Sequence, residues 1–173
     1  MKETGILRRI DELGRIVVPK EIRKKLKIRE GDNLDIFVNE DSVILKKYSP
    51  LNDLEVILDV LLEAIKQNYN CSIIVTDMEK VIASSKSEIE AYDDIVEGFI
   101  ELITQGIQLE FNKNVPIQII ESYKSEQYLL IKPILVYGDL FGSIVLFSDY
   151  DNLSNQQELI DLINYFCSEY IQI

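Results

Sequence analysis

The densest chemistry in this sequence is cationic. Between residues 2 and 29 stand ten basic side chains, Lys2, Arg8, Arg9, Arg15, Lys20, Arg23, Lys24, Lys25, Lys27 and Arg29, against four acidic ones, Glu3, Asp11, Glu12 and Glu21, a local net charge of +6. Such an excess is the electrostatic footprint of a surface that meets nucleic acid, the plainer alternative being a solvated face. Arginine forks can grip phosphate or guanine in bidentate fashion, whereas lysine acts as a point charge. Composition excludes much other chemistry. The chain has no histidine and no tryptophan, so Ser-His-Asp and Cys-His nucleophiles, HExxH zinc sites and zinc fingers of the two-Cys, two-His type cannot be built from it. Cys71 and Cys167 stand far apart in no C-x-x-C pattern, among apolar neighbours where a thiol is core rather than reactive. Asp93 with Asp94 and Asp149 with Asp151 offer oxygen ligands of the kind Mg2+ takes, but at helix starts and turns carboxylates are ordinary caps. The reading is therefore no catalytic residue, no metal site, no cofactor, and no enzyme.

Charge also divides the chain. Its 173 residues carry 18 Lys+Arg and 30 Asp+Glu, a formal charge of -12. Residues 1–50 hold 12 basic and 9 acidic side chains, net +3, and residues 51–173 hold 6 and 21, net -15. The length suits one or two small domains, and a boundary near residue 50, at Lys46-Lys47-Tyr48-Ser49-Pro50, gives domains 1–50 and 51–173. The opening MKETGILRRIDELGR is charged where a signal peptide needs an apolar run. Lys132, Pro133, Gly138 and Asp139 interrupt the most hydrophobic stretch, so no segment reaches the roughly 18 apolar residues of a membrane helix. These features are read as a reduced, cytoplasmic protein with no membrane partner.

The elements that must carry the cations follow from local signals. Thr4 to Ile10 reads as a strand, Asp11-Glu12-Leu13-Gly14 as a turn with Gly14 at positive φ, and Arg15 to Val18 as a second strand. Pro19 fits a helix start, and the helix Lys20 to Leu26 puts Ile22 and Leu26 on one face before Gly31 ends it. Strands near Asn33 to Val38 and Ser42 to Lys46 follow, joined by Asn39-Glu40-Asp41. A unit of about fifty residues hides too little surface to be stable alone and commonly needs disulfide, metal or oligomerisation. It contains no cysteine, so dimerisation is the expected remedy.

The run TGILRRIDELGRIVVPKEIRKKLKIREGDNLDIFV resembles the DNA-binding domain of the AbrB family of bacterial transition-state regulators. The resemblance implies two chains exchanging hairpins into one intertwined β-barrel-like dimer, with an arginine-rich face on double-stranded DNA. Carried over residue by residue, it places Arg8 and Arg9 of the first strand, Arg15 after the turn, and Arg23 and Lys24 of the short helix on DNA. The family often has arginine where this chain has Lys24. Leu13, Ile16, Val18, Ile22, Leu26, Leu34 and Ile36 are read as core that holds the basic face in place. With few base-reading side chains, discrimination is expected to come from DNA shape and deformability.

The second half opens on a helix. Ser49 or Asn52 can cap it, Asn52 with Glu55 as a capping-box-like pair. Leu51, Leu54, Leu58, Leu61 and Ile65 repeat at helical spacing, and Ile57, Val60 and Ala64 form a second stripe. That second stripe either stays within its own domain or packs on another chain. Strands at Cys71 to Thr76 and Lys80 to Ala83 precede a helix from about Tyr92 to Gln105 with Ile95, Phe99 and Leu102 inward. Tyr128 to Val136 and Leu140 to Ser148 flank Tyr137-Gly138-Asp139, and KPILVYGDLFGSIVLFS resembles the late hairpin of GAF domains. A last helix follows Ser154, whose S-x-x-Q pattern with Gln157 is a capping box. It is apolar on more than one side, at Leu159, Ile163, Phe166 and Tyr170 and at Ile160, Cys167 and Ile171. Tyr123 and Tyr128, near Glu121 and Lys124, either line a pocket or pack at the surface, and no ligand residues are assigned.

The expected fold is α+β, an AbrB-like swapped-hairpin barrel dimer joined to an α/β GAF-like domain. The order of these domains resembles sporulation regulators of the AbrB family. This implies a transcriptional regulator, activating some genes and repressing others, nucleoid-associated and resident in the forespore. Its expected partners are double-stranded DNA, further copies of itself as a homodimer and then a homotetramer through the GAF helices, and an unidentified small-molecule effector. The rival reading is an antitoxin, because MazE-type antitoxins use a similar swapped-hairpin domain. Their toxin-binding tails are short and disordered, whereas residues 51–173 read as folded.

Overall fold

The computed structural model describes residues 6–26, 28, 30, 34–151 and 153–172, the side chains of Ser154 and Asn155 excepted. Lys2, Thr4, Lys27, Arg29, Gly31, Asn33 and the Ser154 side chain, on which expectations above partly rest, lie outside the described residues. The chain divides into two units, the first ending at Tyr48 and the second beginning at Ser49.

In the first unit, helix α1 (Lys20–Lys25) is followed by the antiparallel pair β1 (Leu34–Asn39) and β2 (Ser42–Lys47), in register from Leu34 opposite Lys47 to Asn39 opposite Ser42. Pro19 caps α1 with φ -57 and ψ 148, and its carbonyl accepts the Arg23 N–H at 2.9 Å, so the missing proline N–H leaves nothing unpaired. The expected strands around Arg8 and Arg15 do not form within the described residues of one chain. A strand exists by virtue of its ladder, and among the described residues the one backbone bond across the turn from Arg15 is Asp11 N–H to Arg15 O at 3.1 Å. The expected core also fails to close. Leu13, Ile16 and Ile36 are 75%, 57% and 68% exposed, Leu26 is exposed, and Val18, Ile22 and Leu34 are only half-buried. So short a segment without a cross-link does not enclose these side chains by itself.

The second unit has a sheet buried on both faces. Its strands are β3 (Cys71–Thr76), β4 (Val81–Ser84), β5 (Leu109–Phe111), β8 (Tyr128–Val136) and β9 (Asp139–Ser148), in the order β4-β3-β9-β8-β5. The pairings are antiparallel throughout. A two-stranded pair, β6 (Ile117–Ile120) and β7 (Tyr123–Ser125), lies apart from it in the hydrogen-bonding order. Alternation along each strand sends neighbours to opposite sides. Ile73, Val75, Leu130, Ile134, Ile144 and Leu146 join helices α2 (Glu55–Asn68) and α4 (Gln157–Ile171) in one core cluster. Ile74, Leu129, Ile131, Val145 and Phe147 join helix α3 (Glu97–Ile103) and β6 in the other. Because both faces are covered, the strands read as continuous apolar runs.

Several boundaries differ from expectation. Pro50–Leu54 forms a 3-10 turn ahead of α2, with Pro50 at its first positions and neither Ser49 nor Leu54 making a side-chain cap bond. Leu51 and Leu54 are fully buried, so packing rather than a capping box fixes this entry. Leu62, outside both expected stripes, is buried with Leu58 and Ile65, while Ile57, Val60 and Ala64 are exposed. Helix α3 begins at Glu97, five residues later than expected, because residues 92–96 serve the sheet. Tyr92 N–H donates to Val81 O at 2.8 Å with Tyr92 at φ 71, Val81 N–H donates to Asp93 O at 2.9 Å, and Ile95 bridges Ile120. The Tyr92 hydroxyl also donates to the Glu55 carboxylate. The β8–β9 turn puts Tyr137 at φ 52 and Gly138 at φ 90, the pair of positive angles a tight hairpin needs.

Gly142 is held by a close approach. A Cβ there would lie 1.9 Å from the Thr76 carbonyl oxygen and 2.8 Å from Asp77 Cα, both backbone atoms that cannot step aside. Beside it the buried hydroxyls of Thr76 and Ser143 are hydrogen-bonded at 2.9 Å. Gly142→Ala is therefore expected to cost about 3 kcal/mol or more in a denaturant titration, while Gly98→Ala, with nothing within 4 Å of the new Cβ, stays within about 1 kcal/mol of the parent. The two thiols give a second check. Burial raises the Cys71 thiol and pushes that of Cys167 up to about 12, from ordinary values of 9.0. Both stay neutral in the folded chain, so their contribution to stability is whole below the unfolded value and fades as pH rises above it. Alkylation near neutral pH should be slow until denaturant unfolds the chain, and then fast.

Candidate nucleic-acid interface

The site is built on a turn. Asp11 Oδ1 accepts the backbone N–H groups of Leu13 at 3.0 Å and Arg15 at 2.8 Å, and Oδ2 accepts Arg15 Nε at 2.7 Å. Gly14, at φ 76, donates its N–H to Asp11 O at 2.9 Å. A short acid at the first position of a turn, bonding its own chain two residues on, is a common turn device. Here the same carboxylate also grips the arginine two positions past the turn's centre, leaving the Arg15 side chain largely in solvent. The Asp11 carboxyl is held below its ordinary value, first by the Arg15 backbone N–H and then by the Arg15 side chain.

The other expected contacts flank this turn in sequence. Arg8 and Arg9 precede it and are exposed, with Arg8 Nη1 donating to Leu7 O at 3.0 Å. Arg23 and Lys24 are exposed on α1, in whose last turn Arg23, Lys24 and Lys25 are the basic residues. Of the five, Arg15 alone has an ion pair among the described residues, and all five are exposed to solvent. Sequence reasoning found the cations but took Asp11 only as a turn residue. The D-x-x-G-R order, an acid at the turn's start and an arginine just after its glycine, is the signal that could have revealed the Asp11–Arg15 pair.

Elsewhere, the residues that could suggest other chemistry have structural uses. Asp93 Oδ2 accepts the Glu90 N–H at 2.9 Å, Asp94 lies 3.8 Å from Lys80 Nζ, and Asp149 accepts Gln127 Nε2 at 2.6 Å. Among the described residues, no group of three His, Cys, Asp or Glu side chains could hold a metal ion. Tyr123 meets Phe147 edge to face at 6.1 Å, and Lys86 Nζ sits 5.4 Å and 5.7 Å from these two rings. A shallow groove of about 370 Å3 is lined by Val96, Gly98, Leu102, Pro116, Ile117, Gln118 and Glu121, and neither Tyr123 nor Tyr128 borders it. No helix of the described residues is long and apolar enough to cross a membrane.

Comparison with known proteins follows the same division. The family described as antidote-toxin recognition MazE, bacterial antitoxin, matches residues 7–53. The family described as stage V sporulation protein T C-terminal, transcription factor, matches residues 53–166. Transition state regulatory protein AbrB of Bacillus subtilis is 56% identical over 50 residues, covering 29% of this chain and 52% of that protein. A type II free methionine-R-sulfoxide reductase from Thermoplasma acidophilum superposes with a TM-score of 0.51 at 12% identity, over 70% of this chain and 94% of that one, a likeness of fold alone. Stage V sporulation protein T of Bacillus subtilis is 38% identical over 152 residues, 86% of this chain and 85% of that protein. With its basic turn in the first unit, its two-faced sheet in the second and both halves matched in order, the chain belongs to the stage V sporulation protein T family.

Proposed function

We propose that this chain is a DNA-binding transcriptional regulator of sporulation genes, activating at some promoters and repressing at others. The observation that carries the reading is the Asp11-anchored turn, which presents Arg15 beside an exposed basic set in the unit that resembles a DNA-recognition domain. Arg8, Arg9, Arg15, Arg23 and Lys24 make the DNA contacts. Residues 1–50 form the DNA-binding domain and residues 51–173 the GAF-like assembly domain. The chain works by binding rather than catalysis, in keeping with buried neutral thiols and with carboxylates engaged in structural hydrogen bonds. Its place is the cytoplasm, on the nucleoid of the forespore.

Assembly has two stages in this reading. The apolar side chains left exposed in the first unit are covered by a second copy through exchanged hairpins, giving a dimer with two basic faces and two half-sites. The second units then join through the outward faces of α2 and α4, where Val60, Leu162 and Tyr165 are 70%, 60% and 64% exposed, to give a tetramer. Linking several DNA modules raises effective concentration, and an effector that favours one arrangement of second units changes DNA affinity by population shift.

The test is DNA binding by the full chain across a salt series. Log affinity should fall linearly with log salt, by a slope of about 0.9 per phosphate neutralised, and Arg15→Ala should lower affinity about tenfold or more while reducing that slope. Asp11→Ala separates positioning from charge: it removes a negative charge from the face yet is expected to weaken binding, because the turn loses its acceptors. Tighter binding by Asp11→Ala would reject the positioning role. Val60→Asp should halve the sedimenting mass of the assembly without unfolding the second unit.

A further inference from the structure

The faces assigned above to assembly are apolar, but they are also acidic. Helices α2 and α4 pack on the same side of the sheet in one core cluster, which leaves Val56, Ile57 and Val60 of the first and Leu162 and Tyr165 of the second outward. Glu158, Leu162, Tyr165 and Glu169 follow one another at steps of four, three and four, and so share one side of α4. Val56, Val60 and Glu63 do the same on α2. Glu63, Glu158 and Glu169 are all exposed. Along α2 three carboxylates, Glu55, Asp59 and Glu63, meet one cation, Lys66, and along α4 three carboxylates meet none. The Lys132 ammonium from β8 is already committed to Asp161 of α4. Crowding of negative charge is felt within a single copy, where the Asp59 carboxyl is raised above its ordinary value by burial first and by the charge of Glu55 second, against a lowering hydrogen bond from the Ser84 backbone.

Two copies that bring these faces together therefore gain apolar burial and oppose carboxylate to carboxylate. Screening decides the balance, since exposed like charges repel through water over a Debye length that shrinks with salt. Resting on the assembly reading above, we propose that ionic strength controls this interface, so that salt moves the pairing of second units and the binding of DNA in opposite senses. A rise in salt that loosens each basic face from phosphate tightens the linkage between copies, and a fall in salt does the reverse. The regulator's avidity for paired sites thus passes through a maximum at intermediate ionic strength, instead of declining steadily as for a monovalent binder.

The chain has no tryptophan, so Tyr165→Trp gives a single reporter on the α4 face of the otherwise unchanged full-length protein. Its emission should move to the blue as KCl is raised from about 0.05 to about 0.5 M, over which the screening length falls from about 14 to about 4 Å. Adding Glu63→Gln, Glu158→Gln and Glu169→Gln to the reporter chain should give blue emission already at the lowest salt and flatten the response. Emission that is blue at every salt, unmoved by these three substitutions but reddened by Val60→Asp, would overturn control by charge and leave the pairing of faces standing. Emission that stays that of an exposed indole throughout, with Val60→Asp without effect, would overturn the pairing itself and this inference with it.

Discussion

The first unit carries more apolar surface than one copy can enclose, and the rest of the molecule is organised around that constraint. With Leu13, Ile16 and Ile36 in solvent, the hydrophobic contribution to folding of these residues is unrealised in a single chain, at about 25 cal/mol per Å2 of apolar surface. A unit of this kind leaves part of the stabilisation its sequence could supply unrealised. Its turn is locally complete, the Asp11 to Gly14 loop with its own hydrogen bonds, while the described segments on either side of it form no ladder.

The second unit solves the opposite problem. Its sheet is covered on both faces, so its stability is internal, and the hydrogen-bonded Thr76–Ser143 pair and the contact of Gly142 with the Thr76 carbonyl mark where two central strands lie too close for ordinary side chains. A self-sufficient domain can afford to keep apolar residues on its surface for another purpose. The outward residues of α2 and α4 are surplus to its core and stand among exposed carboxylates.

How far all this was legible in the sequence depended on whether the decisive interaction was local. The turn at Gly14, the hairpin at Tyr137 and Gly138, and the strands Cys71–Thr76 and Tyr128–Val136 carry their signals within a few residues, and the α+β class follows from them. Helix α3 was placed too early because Tyr92 to Val96 has a helical apolar spacing, while its backbone is claimed by Val81, Glu79 and Ile119, partners that no local window contains. The strands β5, β6 and β7 are short and went unseen for the same reason. On α2, Leu62 escaped both stripes because the buried face is centred on Leu58 and extends to its side away from the second stripe. The basic residues of the site were visible by type and spacing, and a resemblance gave their roles. The pairing of Asp11 with Arg15 was hidden because a turn acid has a sufficient explanation without it.

One feature of the second unit bears on its behaviour at high local concentration. The segment from Tyr92 to Ile95 folds back along the start of β4, with Tyr92 N–H donating to Val81 O, Val81 N–H donating to Asp93 O, and Lys80 bridging Asp94. The outward donor and acceptor at the start of that strand are thereby occupied, and the opposite border of the sheet, β5, is only three residues long. Both margins offer little continuous edge for strand addition, the route by which sheets in adjacent molecules polymerise. Copies gathered on one stretch of polymer are thus steered away from edge-to-edge fusion, and the helices on the flat face remain as the reversible place to meet.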